Sequence, residues 1–167
     1  DINRIAIKTI KNAYEEQSEI LAKSCSYIYQ MAIEGDIAEF GTDEALTSIA
    51  LASSVFQLNK FQRNDPRGTK LIHYFDSFEG FPSSDNEEDK KNKMVKYGTW
   101  KKGTCSSYSA DDFKKKISQY LSCEFFKIHK GWYKNTLLKI KDSQKFSLIH
   151  IDCTLYESSK AVSYTHL

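Results

Sequence analysis

Four short stretches of this 167-residue sequence hold residue types that handle ligands: "AEFGT" (38–42), "FDSFEGFP" (75–82), "KGWYKNT" (130–136) and "IDCTLYE" (151–157). In the first, Gly41 would let a ligand approach the backbone closely, with Glu39 two residues before it. In the second, the Asp76 carboxylate could accept hydrogen bonds from a ribose diol. The third offers Gly131 and Trp132, a bare backbone and a flat ring that could flank a flat ligand. In the fourth, the acid Asp152 follows an apolar run. Each also has a plainer use: Gly41 to turn the chain, Asp76 to cap a loop or helix, Trp132 to fill a core, Asp152 to end a strand. Four such stretches together weigh more than any one of them.

The elements that must position these residues follow from apolar periodicity. Ile7, Ile10, Tyr14, Leu21, Cys25, Ile28 and Met31 recur at three-to-four spacing, which predicts one long helix or two short ones within 4–33, with Gly35 as the stop. Ile37, Ala38 and Phe40 predict a short strand ending at Gly41. Leu46, Ile49, Ala50, Ser53 and Phe56 then line one helical face, and Thr42 or Asp43 can cap its first turn. "NDPRG" (64–68) predicts a turn and "LIHYF" from Leu71 a second strand ending at Asp76.

Residues 83–93 are polar without apolar period and predict a solvated loop. Ser109 and Asp112 make a capping-box pattern ahead of Phe113, Ile117, Tyr120 and Leu121. "EFFKIH" (124–129) predicts a third strand, 133–141 a short helix, and "KFSLIHI" (145–151) a fourth strand. This alternation argues for an α/β sandwich with a mainly parallel sheet. In such sheets ligands bind at the carboxyl ends of the strands, near the point where the strand order reverses. All four stretches fall at strand ends.

Composition narrows the partners. Lys+Arg 24 against Asp+Glu 22, well interspersed, demands neither nucleic acid nor an anionic membrane. Cys25, Cys105, Cys123 and Cys153 are far apart with no C-x-x-C pair, which suits reduced thiols in a cytoplasmic protein. No apolar run approaches the roughly 20 residues needed to span a bilayer, and no charged-then-apolar leader opens the chain, so a soluble protein, or the soluble part of something larger, is expected. The opening at Asp1 and the closing "VSYTHL" suggest ends that are not natural. There is no G-x-x-x-x-G-K-[ST] phosphate loop and no G-x-G-x-x-G, so the backbone cradles for triphosphates and dinucleotides are absent. A nucleoside cofactor without phosphates, S-adenosylmethionine, is the reading left, and a nucleotide-sugar oxidoreductase lacks its glycine fingerprint.

"GDIAEFGT", "YFDSFEGFP", "WKKG" with "YSADDF" after it, "KGWYKNTL" and "LIHIDCTLYESSK", in this order and spacing, resemble the macrocin O-methyltransferase (TylF-type) family over residues 34–162. Its members are class I S-adenosylmethionine-dependent enzymes, several of which methylate sugar hydroxyls on macrolide and aminocoumarin natural products. The resemblance implies an α/β, Rossmann-like class I methyltransferase sandwich with a mainly parallel sheet, truncated after the fourth strand. Residues 1–34 would be an N-terminal helical segment and 35–167 the S-adenosylmethionine-binding domain.

Carried across residue by residue, the resemblance implies that Glu39, Gly41 and Thr42 form the first cofactor motif, beside the methionine part of the cofactor. Asp76 would bind the ribose hydroxyls with Ser77 close by, Gly131 and Trp132 would lie near the adenine edge, and residues 100–109 would help cover the site. Asp152 matches an acid that binds Mg²⁺. The partner would be a small-molecule acceptor with hydroxyl groups, and the assembly expected is a homo-oligomer. Three positions depart from the pattern: Ala45 replaces a glycine, Asn135 an aspartate that is often present, and Thr154 the acid proposed as general base. A threonine hydroxyl does not accept a proton near neutral pH as a carboxylate does. A non-catalytic relative of the fold is therefore the alternative, and this chain alone is expected to be inactive.

Overall fold

The computed structural model describes residues 2–62, 68–83 and 86–166, with side chains from Tyr14 to Ser163 within those spans. Four parallel strands, β1 (Asp36–Phe40), β2 (Ile72–Asp76), β3 (Phe126–Lys130) and β4 (Phe146–Ile151), form a sheet in the order β3-β2-β1-β4. The chain steps outward from β1 to β3 and then crosses to the other side of β1 for β4. The strand order therefore reverses between β1 and β4, where an open α/β sheet has its crevice.

Strand periodicity of two divides the sheet between two helical layers. Ile37, Ile72 and Tyr74 join a core with Leu21, Cys25 and Ile28 of α1 (Ile2–Gln30), Leu51 and Val55 of α2 (Leu46–Phe61), and Phe113 and Ile117. Ala38, Phe40 and Phe75 face the other way, toward Leu137 and Val162. Each large apolar side chain buried here contributes about 1.5–3 kcal/mol, so the first layer, with three times as many buried members as the second, carries most of the fold.

The N-terminal periodicity yields one continuous helix. It stops at Gln30, and the chain turns through Ala32 in the left-handed region (φ 54) before reaching Gly35. Gly35 has a different use: a Cβ there would lie 2.7 Å from the Lys145 carbonyl, so a bare backbone lets the start of β1 pass the start of β4. The side chains of Ile7 and Ile10 lie outside the described residues, as does most of the "NDPRG" turn.

The expected face of α2 needs correction. Thr47, Ser48, Leu51, Ala52, Val55 and Asn59 are buried, while Leu46 and Phe56 are each 40% exposed. Ser48 and Asn59 take the inward face because each has a partner there: Ser48 donates to Glu39, and Asn59 Oδ1 accepts from Tyr29 Oη (2.6 Å) and the Lys70 amide (3.1 Å). Neither Thr42 nor Asp43 caps the helix. Its N-cap is Ala45 at φ 63, ψ 16, with no side-chain hydrogen bond. This left-handed position costs an L-residue roughly 1–2 kcal/mol, a strain that a glycine would not carry.

The segment expected as a solvated loop instead contains α3 (Glu87–Lys91) and runs into α4 (Lys93–Lys96), capped by Asn86 and Asn92. Asp89 within it is buried and accepts from the Tyr156 amide at 2.6 Å, at the start of α7 (Tyr156–His166). A long-range bond of this kind leaves no period in the sequence. The Ser109 cap is present, its Oγ accepting from the Asp112 amide ahead of α5 (Ala110–Ile117). A 3₁₀ turn at Cys123–Phe125 delays β3 by two residues relative to expectation, and the helix expected over 133–141 is α6 (Tyr133–Thr136) with a 3₁₀ turn after it. Among the described residues no helix is long and apolar enough to cross a membrane. All four cysteines are free.

Candidate functional site

A cavity of about 320 Å³ opens at the carboxyl ends of the strands. Gly41 and Thr42 after β1, Asp76 and Ser77 after β2, Gly131 and Trp132 after β3, and Asp152 and Thr154 after β4 all line it. The strand ends are tied by ladder bonds beyond the strands themselves: Gly41 N to Phe75 O (3.0 Å), Gly131 N to Asp76 O (2.9 Å) and Asp152 N to Phe40 O (2.9 Å). Four separate stretches of sequence thereby become one rim.

Gly41 differs from expectation in what crowds it. Its φ is 92, and an added Cβ would sit 2.5 Å from the Asp152 carbonyl oxygen. The close approach is that of the β4 end to the β1 end. Gly41 is thus the hinge pin at the strand-order reversal, with the cavity beside it.

Asp76 is held in place from two sides. Its Oδ2 accepts from the Thr42 amide (2.8 Å) and the Thr42 hydroxyl (3.0 Å), and its Oδ1 from the Phe78 amide (2.7 Å). The plainer use, structuring a loop, is therefore real and coexists with a place on the cavity wall. Ser77 is spent similarly: its Oγ accepts from the Glu79 amide (3.1 Å) and donates to the Gly80 carbonyl (3.3 Å). Gly80 lies where a Cβ would be 2.4 Å from the Thr104 carbonyl oxygen. Phe81 and Thr104 are bonded there, amide to carbonyl, at 2.8 Å, and the Phe81 and Trp100 rings meet edge to face at 5.8 Å. Of the segment 100–109, Trp100 and Cys105 line the cavity.

Glu39 does not line the cavity. Its carboxylate is fully buried on the α1–α2 side of the sheet, where Ser48 Oγ donates to it and His150 Nδ1 of β4 lies 3.1 Å away. Alternation along β1 puts residue 39 on the opposite face from Phe40. Burial works against a charge on His150, yet the Glu39 carboxylate outweighs it and holds the imidazole above its ordinary range. Gln17 of α1 approaches the other ring nitrogen at 3.4 Å.

The periodicity puts Tyr14 on the apolar face of the first helix. It is 39% exposed and stands on the cavity wall. Its hydroxyl is held above the usual range by burial and by the carboxylates of Glu44, Asp152 and Asp43. Tyr133 and Glu44 also line the cavity without having been singled out. Burial holds the Tyr133 hydroxyl far above its ordinary range, and it pushes the neighbouring Cys153 thiol up to about 12, so that thiol is not a nucleophile. Aromatic type alone could not have separated these wall residues from core.

The described residues offer Mg²⁺ one carboxylate at the end of β4. The ion takes one or two carboxylates together with substrate oxygens and water, and Asp152 is the one carboxylate at the end of β4, exposed beside an exposed Thr154. Among the described residues no three His, Cys, Asp or Glu side chains converge as a metal site. Asp152 would therefore supply one protein ligand, with acceptor oxygens and water as the others.

With this geometry, the comparisons have a definite meaning. The family model for macrocin O-methyltransferase (TylF) matches residues 15–165, nearly the whole chain. The chain belongs to that family. The family match begins within α1, close to Tyr14, so it includes most of the helix that flanks the cavity. Among solved structures, the O-methyltransferase NovP superposes with a TM-score of 0.70 at 19% identity, over 89% of this chain and 57% of that one. The calicheamicin methyltransferase CalS11 superposes with a TM-score of 0.69 at 19% identity, over 93% of this chain and 59% of its own. At that identity the likeness carries the fold, a Rossmann-like sandwich. The chain spans less than two thirds of the length of either structure. No curated protein matches the sequence.

Proposed function

We propose that the protein is an S-adenosylmethionine-dependent O-methyltransferase acting on a hydroxyl of a sugar or related natural-product metabolite in the cytoplasm. The observation that supports this most is Asp76, an acid at the carboxyl end of β2 on the wall of the cavity that Gly41 and Asp152 close at the strand-order reversal. In this reading Asp76 takes the ribose, Trp132 and Gly131 flank the adenine, and the methionine part runs past Gly41 and Thr42. Residues 35–167 form the cofactor-binding unit, with the 1–34 helical segment laid against it, and a homo-oligomer is the expected assembly.

Transfer is a direct displacement. S-adenosylmethionine, when bound, would supply the methyl group: the acceptor oxygen would bond the methyl carbon as the carbon–sulfur bond breaks and its electron pair returns to sulfur. The cavity walls contribute by holding donor and acceptor in line and by excluding water. The hydroxyl proton would pass to solvent water, since Thr154 is not a base for it. Mg²⁺ assistance through Asp152 belongs to the same reading: Asp152 would hold the ion with acceptor oxygens and water, and the ion would lower the pKa of an acceptor hydroxyl. Isothermal calorimetry tests the cofactor site: Asp76→Ala is expected to weaken S-adenosylmethionine binding at least about tenfold, the loss of strong charge-assisted hydrogen bonds. Unchanged affinity would sink this reading.

Thr154 favours a second reading, a non-catalytic relative that keeps fold and cofactor. Here Thr154→Asp decides. If that substitution creates methyl transfer to diol acceptors absent from the wild type, the loss of chemistry is the better account; wild-type turnover abolished by Asp152→Ala favours the enzyme.

A further inference from the structure

The turn from Asp152 to Tyr156 is tied to other elements at both ends. At its start the Asp152 amide donates to the Phe40 carbonyl of β1, and at its end the Tyr156 amide, the first of α7, donates to Asp89 Oδ1 at 2.6 Å. Between them the Ser159 hydroxyl donates to the Cys153 carbonyl at 2.9 Å, and Leu155 is buried. Asp89 reaches this turn from the charged run "NEEDKKNK" (86–93), where it is buried while Glu87 and Glu88 beside it are exposed. Taking a carboxyl group out of water costs free energy unless its oxygens find partners. The start of a helix supplies them, because its first amides lack intrahelical acceptors and carry partial positive charge.

We infer that Asp89 is a positioning residue for the acceptor side of the cavity: it holds the start of α7 and thereby fixes the turn that presents Asp152 and Thr154. The inference rests on the methyltransferase reading above and deepens it. Asp89 is not on the cavity wall, so it acts through the turn and not on a ligand. A second bond from the same segment lands beside the first: Asn86, the cap of α3, donates its Nδ2 to Glu157 Oε1 at 2.5 Å. Farther along, the Met94 carbonyl of α4 accepts from the Thr99 amide (2.9 Å) and the Trp100 amide (3.0 Å), and Trp100 lines the cavity. One polar segment thus braces α7 at one end and sets a wall residue at the other. The bare rim position of Asp152 and Thr154 is held from behind.

The test is residue-resolved amide hydrogen exchange by NMR on the full chain, with Mn²⁺ titration by electron paramagnetic resonance and S-adenosylhomocysteine calorimetry beside it. Asp89→Ala is expected to speed exchange of the Asp152 amide at least about fivefold, through loss of a helix-end partner, while the Ile37, Ile72 and Ile128 amides stay within about twofold. Asp89→Asn keeps an oxygen for the Tyr156 amide and should return Asp152 to within about twofold of wild type. Tyr156→Pro removes the same bond from the other side, at a first-turn position that tolerates proline, and should reproduce the Asp89→Ala pattern. Mn²⁺ affinity at Asp152, defined by its loss in Asp152→Ala, should fall about tenfold in Asp89→Ala, as for residues that orient a metal ligand. S-adenosylhomocysteine affinity should hold within about twofold. Unchanged Asp152 exchange in both Asp89→Ala and Tyr156→Pro overturns the inference, as does a speeding shared equally by the strand amides, which is what a merely structural role gives. A wild type that binds no S-adenosylhomocysteine, or Mn²⁺ that Asp152→Ala does not displace, fails the methyltransferase reading instead; exchange at Asp152 still decides the brace.

Discussion

On the β1–β2 wall of the cavity, Asp76 is gripped by three hydrogen bonds from Thr42 and Phe78, whereas on the β4 wall Asp152 and Thr154 present exposed side chains. The backbones do not differ in this way. Asp152 is bonded to Phe40 and packed against Gly41 as firmly as any strand end. The difference lies in side-chain support: the wall that would take the nucleoside is pre-organised within this chain, and the wall that would take the acceptor is positioned but not completed. Pre-organisation of that sort lowers the ordering cost of binding, so donor affinity and acceptor turnover should respond to different residues.

The sharpest way to break the comparison is to loosen the seam between the walls. Glu39 joins β1 to β4 through His150 and to α2 through Ser48, all out of reach of the cavity. Glu39→Ala leaves a half-buried imidazole and a buried hydroxyl without their partner and should destabilise the fold by about 3 kcal/mol or more, measured by urea unfolding. A loss well below that would mean that the pair contributes little to the seam. Next in size is Gly41→Ala. With φ at 92 and the Asp152 carbonyl oxygen 2.5 Å from the new Cβ, the two strand ends must separate, at a cost of about 2 kcal/mol. Both walls should suffer, so this variant ought to weaken S-adenosylhomocysteine binding as well as stability; a stable variant with intact binding would show that the walls are independent.

How much of this was legible in the sequence depends on the range of the interaction that decides it. The parallel sheet and the rim at its carboxyl ends follow from alternating apolar runs, and Gly41, Asp76, Trp132 and Asp152 were found because each follows such a run. The capping pair Ser109 and Asp112 was legible because both members lie within one turn. The buried face of α2 was not: Ser48 and Asn59 look like surface residues until Glu39, Tyr29 and Lys70 supply partners from other elements. Asp89 was hidden in a charged run for the same reason, its partner being the amide of Tyr156. Glu39 was placed at the site because it neighbours Gly41 in sequence, and strand alternation turned it to the other face.

Tyr14 gives the smallest effect and the cleanest test of the asymmetry. It stands on the cavity wall at the surface of α1, where the fields of Glu44, Asp152 and Asp43 add to burial in keeping its hydroxyl protonated at neutral pH. A phenol so held donates a hydrogen bond and does not serve as a base, so it can orient an acceptor oxygen beside Asp152 without removing its proton. Tyr14→Phe keeps the ring and deletes the donor. Stability should change by less than about 0.5 kcal/mol, the range for a surface substitution, and S-adenosylhomocysteine affinity should stay within about twofold. If the acceptor lies on the β4 side, turnover should fall severalfold through kcat/KM. Should donor affinity drop instead, Tyr14 belongs to the nucleoside wall, and the division between a finished wall and an open one would have to be redrawn with α1 on the other side.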